Sequence, residues 1–395
     1  VRRVKPLEGV TILDLSRVLA CPFASMVLAE LGATVIKVEQ PGAGDETRGF
    51  EPFFEGGLSG YFAACNRGKK SITVNLRHAA GVQVVRELAA RADAFVENFP
   101  TGTLARRGLD WPSLKAINPR LVYLSCTGFG QTGPYAQRKG YDTVFQAMGG
   151  LLSLTGERGG GPVKPGLPVA DLTSGLWVAI ALLAMLHGRT RTGEGGFCDF
   201  SMFDGQVALL TIAAARWFAL GEVPPRLGTE HPGRVPSASF RCADGRFLHI
   251  TASDQHWAPL CRALGLPVDE SLSTNAARLA RREEVMAMLT AALARLTRAE
   301  AVAALDAADV PNGPVLSIDE TLTDPHTLAR GLVGRAARPD GGEIPALRVP
   351  YRFEGFDSPE PAPLPGLGAD TETVLRDMLG YDDARIAALR AEGAI

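Results

Sequence analysis

Between residues 10 and 125 the chain alternates short apolar runs with stretches of helical spacing, and that alternation restricts it to parallel β-α-β construction. Residues 10–15 read as a strand, 22–31 as a helix with Pro22 near its first turn, and 33–38 as the next strand, with Gly32 as the helix stop. The rhythm repeats with strands at 71–76, 93–97 and 121–125 and a helix at 81–91, and residues 196–202 add a further strand. The pattern is doubly wound α/β. No Gly-x-Gly-x-x-Gly follows the first strand, which argues against a nicotinamide cofactor.

The second half changes character. Residues 223–236 are rich in Pro, Gly and Arg and read as a crossing linker. Beyond it, apolar runs at 238–242 and 246–251 flank Ala243-Asp244-Gly245, a hairpin signal, and helical spacing covers 256–264 and 276–308. Pro311 and Pro314 turn the chain, and Asp324-Pro325-His326 starts a short helix. A hairpin around Gly341-Gly342, a stiff Pro-rich connector at 359–365 and a helix pair ending near Gly393 complete the tail. The expected organisation is a large doubly wound domain over 1–223, a smaller α+β domain over 224–325, and a return to the large domain over 326–395.

A hydrophobic fraction of 46%, a charged fraction of 21% and a net charge of −2 describe a globular protein with no pull toward nucleic acid or membrane. The apolar run at 172–186 falls just short of a membrane span and reads as a buried helix, which Ser174 and Gly175 would help to pack. The six cysteines contain no Cys-x-x-Cys pair and the six histidines no His-x-x-x-His, so neither a zinc site nor a disulfide framework is expected. The setting expected is a reduced cytoplasm. The glycine run at 159–161 lacks the Lys-Ser or Lys-Thr of a phosphate loop and reads as a flexible loop.

Asp171 is the acid that opens the apolar helix. Asp before a hydrophobic helix is most often an N-cap, which contributes about 1 kcal/mol. A carboxylate there also sits beside unpaired amides at the positive helix end, which lower its pKa, while apolar neighbours deny it water. That second combination suits a nucleophile. The segment alone leaves both readings open.

Five strings taken in order resolve the choice. They are Leu13-Asp14-Leu15-Ser16-Arg17-Val18, Gly32-Ala33-Thr34-Val35-Ile36-Lys37-Val38-Glu39 with Gly44-Asp45-Glu46-Thr47-Arg48, Asn66-Arg67-Gly68-Lys69-Lys70, Val96-Glu97-Asn98-Phe99, and Gly128-Phe129-Gly130-Gln131-Thr132-Gly133-Pro134. Together they resemble the class III coenzyme A transferases, a family that also includes α-methylacyl-CoA racemases. The resemblance implies a Rossmann-like large domain, an interlocked ring-like homodimer, coenzyme A as a bound substrate and no metal.

The resemblance further implies that Asp171 is the catalytic carboxylate, with Tyr141 and Asp142 lining its site. It places Val18, Leu19, Gln40, Val74, Arg77, Asn98, Phe99, Arg106, Lys139 and Met202 around coenzyme A. The residue types suit that ligand: phosphates need Arg and Lys, and adenine needs apolar walls. Arg17 has the planar fork to meet the distal carboxylate of a dicarboxylic acid. The pattern is most similar to transferases acting on short dicarboxylates, with succinyl-CoA as donor. Leu19 stands where formyl-CoA-transferring members carry glutamine, which argues against oxalate or formate. Tyr141 stands where the racemases carry histidine, and a phenol with pKa about 10 is poorly matched to proton exchange at an α-carbon. A non-catalytic CoA-binding protein is the remaining alternative.

Overall fold

The computed structural model describes residues 3–395, which divide into two compact units. The first comprises the chain up to Leu151, Pro165–Ala214 and His326–Ile395; the second comprises Leu152–Lys164 and Ala215–Pro325.

The first unit is built on a six-stranded sheet of β1 (Thr11–Asp14), β2 (Thr34–Glu39), β3 (Lys69–Thr73), β4 (Ala94–Glu97), β5 (Val122–Thr127) and β6 (Gly196–Ser201). Its order is β3-β2-β1-β4-β5-β6, and every pairing is parallel. Successive side chains point to opposite faces, and both faces are covered. Ile12, Val35, Val96, Val122 and Leu124 fill one core, while Leu13, Ile36, Phe95 and Tyr123 fill the other.

The helices on the first face are α1 (Ala20–Glu30), α4 (Asp142–Met148), α5 (Val169–Thr192) and α6 (Met202–Ala208); α2 (Gly60–Asn66) lies against α1, and α3 (Ala79–Ala89) packs on the opposite face. Helix α1 packs closely on α5 because position 175 is glycine: a Cβ there would lie 2.6 Å from the Ala20 carbonyl oxygen. Helix α5 is longer than its apolar run suggested, and only one side of it is buried. Ser174, Val178 and Leu182 face the core, whereas Leu176, Trp177, Ile180 and Leu183 are exposed. By length and composition alone α5, which contains an 18-residue stretch of mean hydropathy 1.9, could cross a membrane; one such helix is weak evidence, since core helices pass the same test.

The second unit holds an antiparallel sheet of β7 (Ser237–Arg241), β8 (Phe247–Thr251) and β9 (Asn312–Pro314). The segment around Pro311 was expected only to turn the chain; instead it pairs with β8, Asn312 opposite Ile250 and Pro314 opposite Leu248. Proline is tolerated there because β9 is an edge strand. The helical stretch after Asn275 is three helices, Asn275–Ala280, Arg282–Leu293 and Arg298–Ala307, the last begun by a Thr297–Glu300 capping box. This unit begins before the expected linker and takes in residues 152–164, which composition gave no reason to separate from the large domain. The tail returns through β10 (Val333–Ala337) and β11 (Glu343–Leu347), paired around Gly341-Gly342, to a final helix, Asp383–Ala391.

A chain of buried charges runs from Asp14 at the end of β1 to Lys37 within β2 and Lys69 at the start of β3. Asp14 accepts from Lys69 Nζ (3.1 Å), Ser16 Oγ (2.5 Å) and Ser25 Oγ (2.6 Å); Lys37 Nζ donates to Asp45 (2.8 Å) and to the Ser16 carbonyl (2.9 Å). Burial pushes the Asp14 carboxyl up, but Lys69, Lys37 and the two hydroxyls hold it below the ordinary carboxylate value. Burial pulls Lys69 down to about 8, against the pull of Asp14. Removing one partner from such a pair leaves an uncompensated charge in the core. Asp14→Ala is therefore expected to cost roughly 3–5 kcal/mol in urea unfolding; a loss below about 1 kcal/mol, the scale of an exposed pair, would show that the pair is not buried in solution.

Candidate active site

The strand order reverses between β1 and β4, the place where doubly wound sheets open a crevice at the strands' carboxyl ends. The turn after β1 is clamped there from three sides. Asn98, just past β4, accepts from the Arg17 N–H (2.9 Å) and donates to its carbonyl (2.8 Å); Lys37 holds the Ser16 carbonyl; Asp45 Oδ1 faces the Val18 N–H at 3.5 Å. Val18 has φ of +69°, a left-handed conformation that a β-branched residue adopts only when its surroundings impose it.

This turn forms one wall of a cleft of about 200 Å³, lined also by Gln40, Val74, Arg77 and Phe99. The Arg17 guanidinium lies 5.1 Å from the centre of the Phe99 ring. Five of the residues proposed around coenzyme A or substrate, Arg17, Gln40, Val74, Arg77 and Phe99, thus share a single cleft, with Asn98 and Val18 shaping its rim. Arg106 is exposed beside it, with Nη2 3.5 Å from Thr103 Oγ1, and Thr103 lines the cleft. Arg107, which the sequence did not single out, also lines it, anchored on the carbonyls of Leu76 and Thr103.

Three others lie elsewhere. Leu19 is the N-cap residue of α1, and its buried side chain lines a separate cavity rather than the cleft. Met202 opens α6 and is buried in the core. Lys139 stands exposed in the loop before α4.

Asp171 lies inside α5, in its first turn; the N-cap residue is Pro168, which offers no capping side chain. The cap reading of Asp171 is thus excluded by position. The acceptor at this helix start comes from α4: Asp142 Oδ1 accepts the Asp171 N–H at 3.1 Å, and Asp142 Oδ2 accepts from Gln146 Nε2 at 2.6 Å. Burial, and then the negative charge of Asp142, push the Asp171 carboxyl up to about 7. The lowering expected from the helix end is thereby outweighed.

Tyr141, expected to line the site of Asp171, faces solvent. It is the N-cap residue of α4, its carbonyl receives the first N–H groups of that helix, and its side chain is 82% exposed. Tyr61, on α2, is the phenol near Asp171: burial first, and the Asp171 charge next, push it up to about 12, so it stays a neutral donor. No spacing in the sequence marks Tyr61.

Tyr61 also lines a cavity of about 690 Å³ whose other walls include Leu19, Phe23, Pro168, Leu172 and Leu176. Its two arginines are already engaged. Arg67 binds Glu30 and the Ala63 and Leu347 carbonyls, and Arg348 binds Glu360 and the Gly331 and Pro359 carbonyls. Among the described residues no group of three or more His, Cys, Asp or Glu is arranged to hold a metal ion.

Between about pH 4 and 7 the folded Asp171 carboxyl binds its proton more tightly than an unfolded one. Its contribution therefore stabilises the fold at acid pH and is lost as pH rises through about 7. Asp171→Asn removes that titration, so its melting temperature should gain on the parent between about pH 5 and about pH 8. A difference that stays constant over this interval would contradict the raised pKa.

Known proteins supply an independent comparison. Residues 7–371 match the sequence profile of CoA-transferase family III. The chain is 41% identical over 395 residues to succinyl-CoA:glutarate CoA-transferase of Mus musculus, covering 99% of this chain and 91% of that protein. It is 36% identical over 362 residues to acetyl-CoA:oxalate CoA-transferase of Acetobacter aceti, covering 91% and 92%. The crystal structure of a CAIB/BAIF family protein from Brucella suis superposes with a TM-score of 0.86 at 39% identity, covering 95% of this chain and 100% of that one. The fold, the crevice and these matches agree: the chain belongs to CoA-transferase family III and is a class III CoA-transferase.

Proposed function

We propose that this enzyme moves CoA from an acyl-CoA donor, succinyl-CoA in our reading, to a short-chain dicarboxylate, with Asp171 as nucleophile. The observation that carries the reading is the Asp171 carboxyl: half-buried, raised to about 7, and close to a phenol that remains protonated. Such a group is ionised in part at neutral pH and is poorly solvated, which favours attack on a carbonyl.

The Asp171 oxygen attacks the thioester carbonyl, forming a mixed anhydride and releasing CoA thiolate. The thiolate attacks the aspartyl carbonyl, which yields an aspartyl-CoA thioester and frees the donor acid. An acceptor carboxylate attacks that thioester, giving a second anhydride and thiolate; the thiolate then takes the acceptor acyl group and restores the Asp171 carboxylate. Each step breaks one acyl bond and forms another, so no external energy source is needed. Tyr61 can donate to the oxyanions, and the apolar walls around the site exclude the water that would hydrolyse an anhydride.

The cleft residues Arg17, Gln40, Val74, Arg77 and Phe99, with Asn98 and Arg106 beside them, would receive the nucleotide and pantetheine of CoA. Arg17 shares that cleft with Arg77, a placement that favours CoA contact over the distal carboxylate of the acid. The dicarboxylate reading is supported by what the succinyl-CoA:glutarate relatives are named for. A homodimer is supported by the exposed apolar side of α5 and by exposed Ile212 and Phe218 in the helix Thr211–Leu220; a chain that sediments as a 41.9 kDa monomer would remove it.

With succinyl-CoA and glutarate, Asp171→Asn should lower kcat by about a thousandfold or more while donor binding stays within about threefold. Arg17→Ala should raise the KM for succinyl-CoA equally with mono- and dicarboxylate acceptors. Retained turnover in Asp171→Asn removes the mechanism, and a loss confined to dicarboxylates would return Arg17 to the acid.

A further inference from the structure

We propose that Gln146 is a positioning residue for CoA transfer, acting through Asp142 on the backbone and charge of Asp171. The inference rests on Asp171 being the nucleophile. Gln146 is fully buried in α4, one turn beyond Asp142, and its Nε2 donates to Asp142 Oδ2 at 2.6 Å. The other oxygen of that carboxylate receives the Asp171 N–H. The amide therefore fixes the carboxylate that holds the start of α5, where Pro168 offers no capping group.

A second feature separates this role from simple core filling. Gln146 Oε1 is buried and has no hydrogen-bond partner. An apolar side chain of similar length would occupy the same space without burying an unsatisfied oxygen. Packing thus gives no reason for an amide here, whereas the bond to Asp142 does.

The groups facing Asp171 are the Asp142 carboxylate from α4 and the Tyr61 phenol from α2. It is Asp142 whose negative charge acts on the Asp171 carboxyl. Withdrawing the Gln146 donor leaves the charge of Asp142 less neutralised, which strengthens its repulsion of an ionised Asp171 and holds the proton there to higher pH.

Gln146→Leu and Gln146→Met are expected to lower kcat about tenfold to a hundredfold, with the KM for succinyl-CoA changed less than about threefold, and to move the acid limb of the kcat–pH profile upward. In an Asp142→Asn background the same substitutions should add less than about a twofold loss, because their partner is already changed. Methionine keeps the length of the side chain and serves if leucine disturbs folding. Losses that multiply in the double variants, or an unmoved pH profile, would overturn the proposal. If Asp171→Asn keeps turnover, the nucleophile assignment fails first; if Asp171 is essential and the Gln146 variants match the parent, only the role of Gln146 fails.

Discussion

The structure turns on how the start of α5 is satisfied. Helix starts normally quench nearby carboxylates with their unpaired amides. Here the Asp171 amide is taken by Asp142, a side chain from another helix, and the Asp171 carboxyl is left with burial and a like charge as its main influences. In the proposed mechanism that burial is useful, because a carboxylate with little solvation has little to shed on approaching a thioester. The glycine that brings α1 onto α5 and the side chains closing the neighbouring cavity all keep that end of the helix partly dry.

A second constraint shapes the cleft at the carboxyl ends of the strands. Lys37, Asp45 and Asn98 converge on the turn after β1 and impose a left-handed conformation on Val18. The buried Lys37–Asp45 pair lines that cleft, and Asn98 holds the turn beside it through backbone contacts.

Much of the large unit was legible because the inner strands β1, β2, β4 and β5 of its parallel sheet are buried on both faces, which leaves short, mostly apolar runs in the chain. Edge pairing is less visible: Asn312-Gly313-Pro314 carries turn residues yet pairs with β8 through a few backbone contacts. The motif strings cover Arg17, Val18, Asn98 and Phe99, which sit in the turns that follow β1 and β4, whereas Asp171 and Asp142 stand at helix starts outside those strings. Leu19 and Met202 were placed with coenzyme A, but helix starts turn both side chains into apolar surroundings. Tyr61 could not be found by spacing, because it reaches the site from α2 only after the helices pack, whereas Gln146 stands four residues beyond Asp142 on the same helix, a spacing the sequence held without any sign of its use. The direction of the Asp171 pKa shift was also out of reach: it depends on burial and on Asp142, neither of which a linear pattern contains.

The central claim is that the Asp171 carboxyl itself bonds covalently to substrate. Mixing the enzyme with succinyl-CoA in the absence of acceptor, quenching, and mapping peptides by mass spectrometry tests this most directly. The account predicts CoA attached at Asp171 and its replacement by a hydroxamate when hydroxylamine is added. Transfer that proceeds with peptides containing Asp171 unmodified at every time point, or with the adduct on another residue, would contradict it.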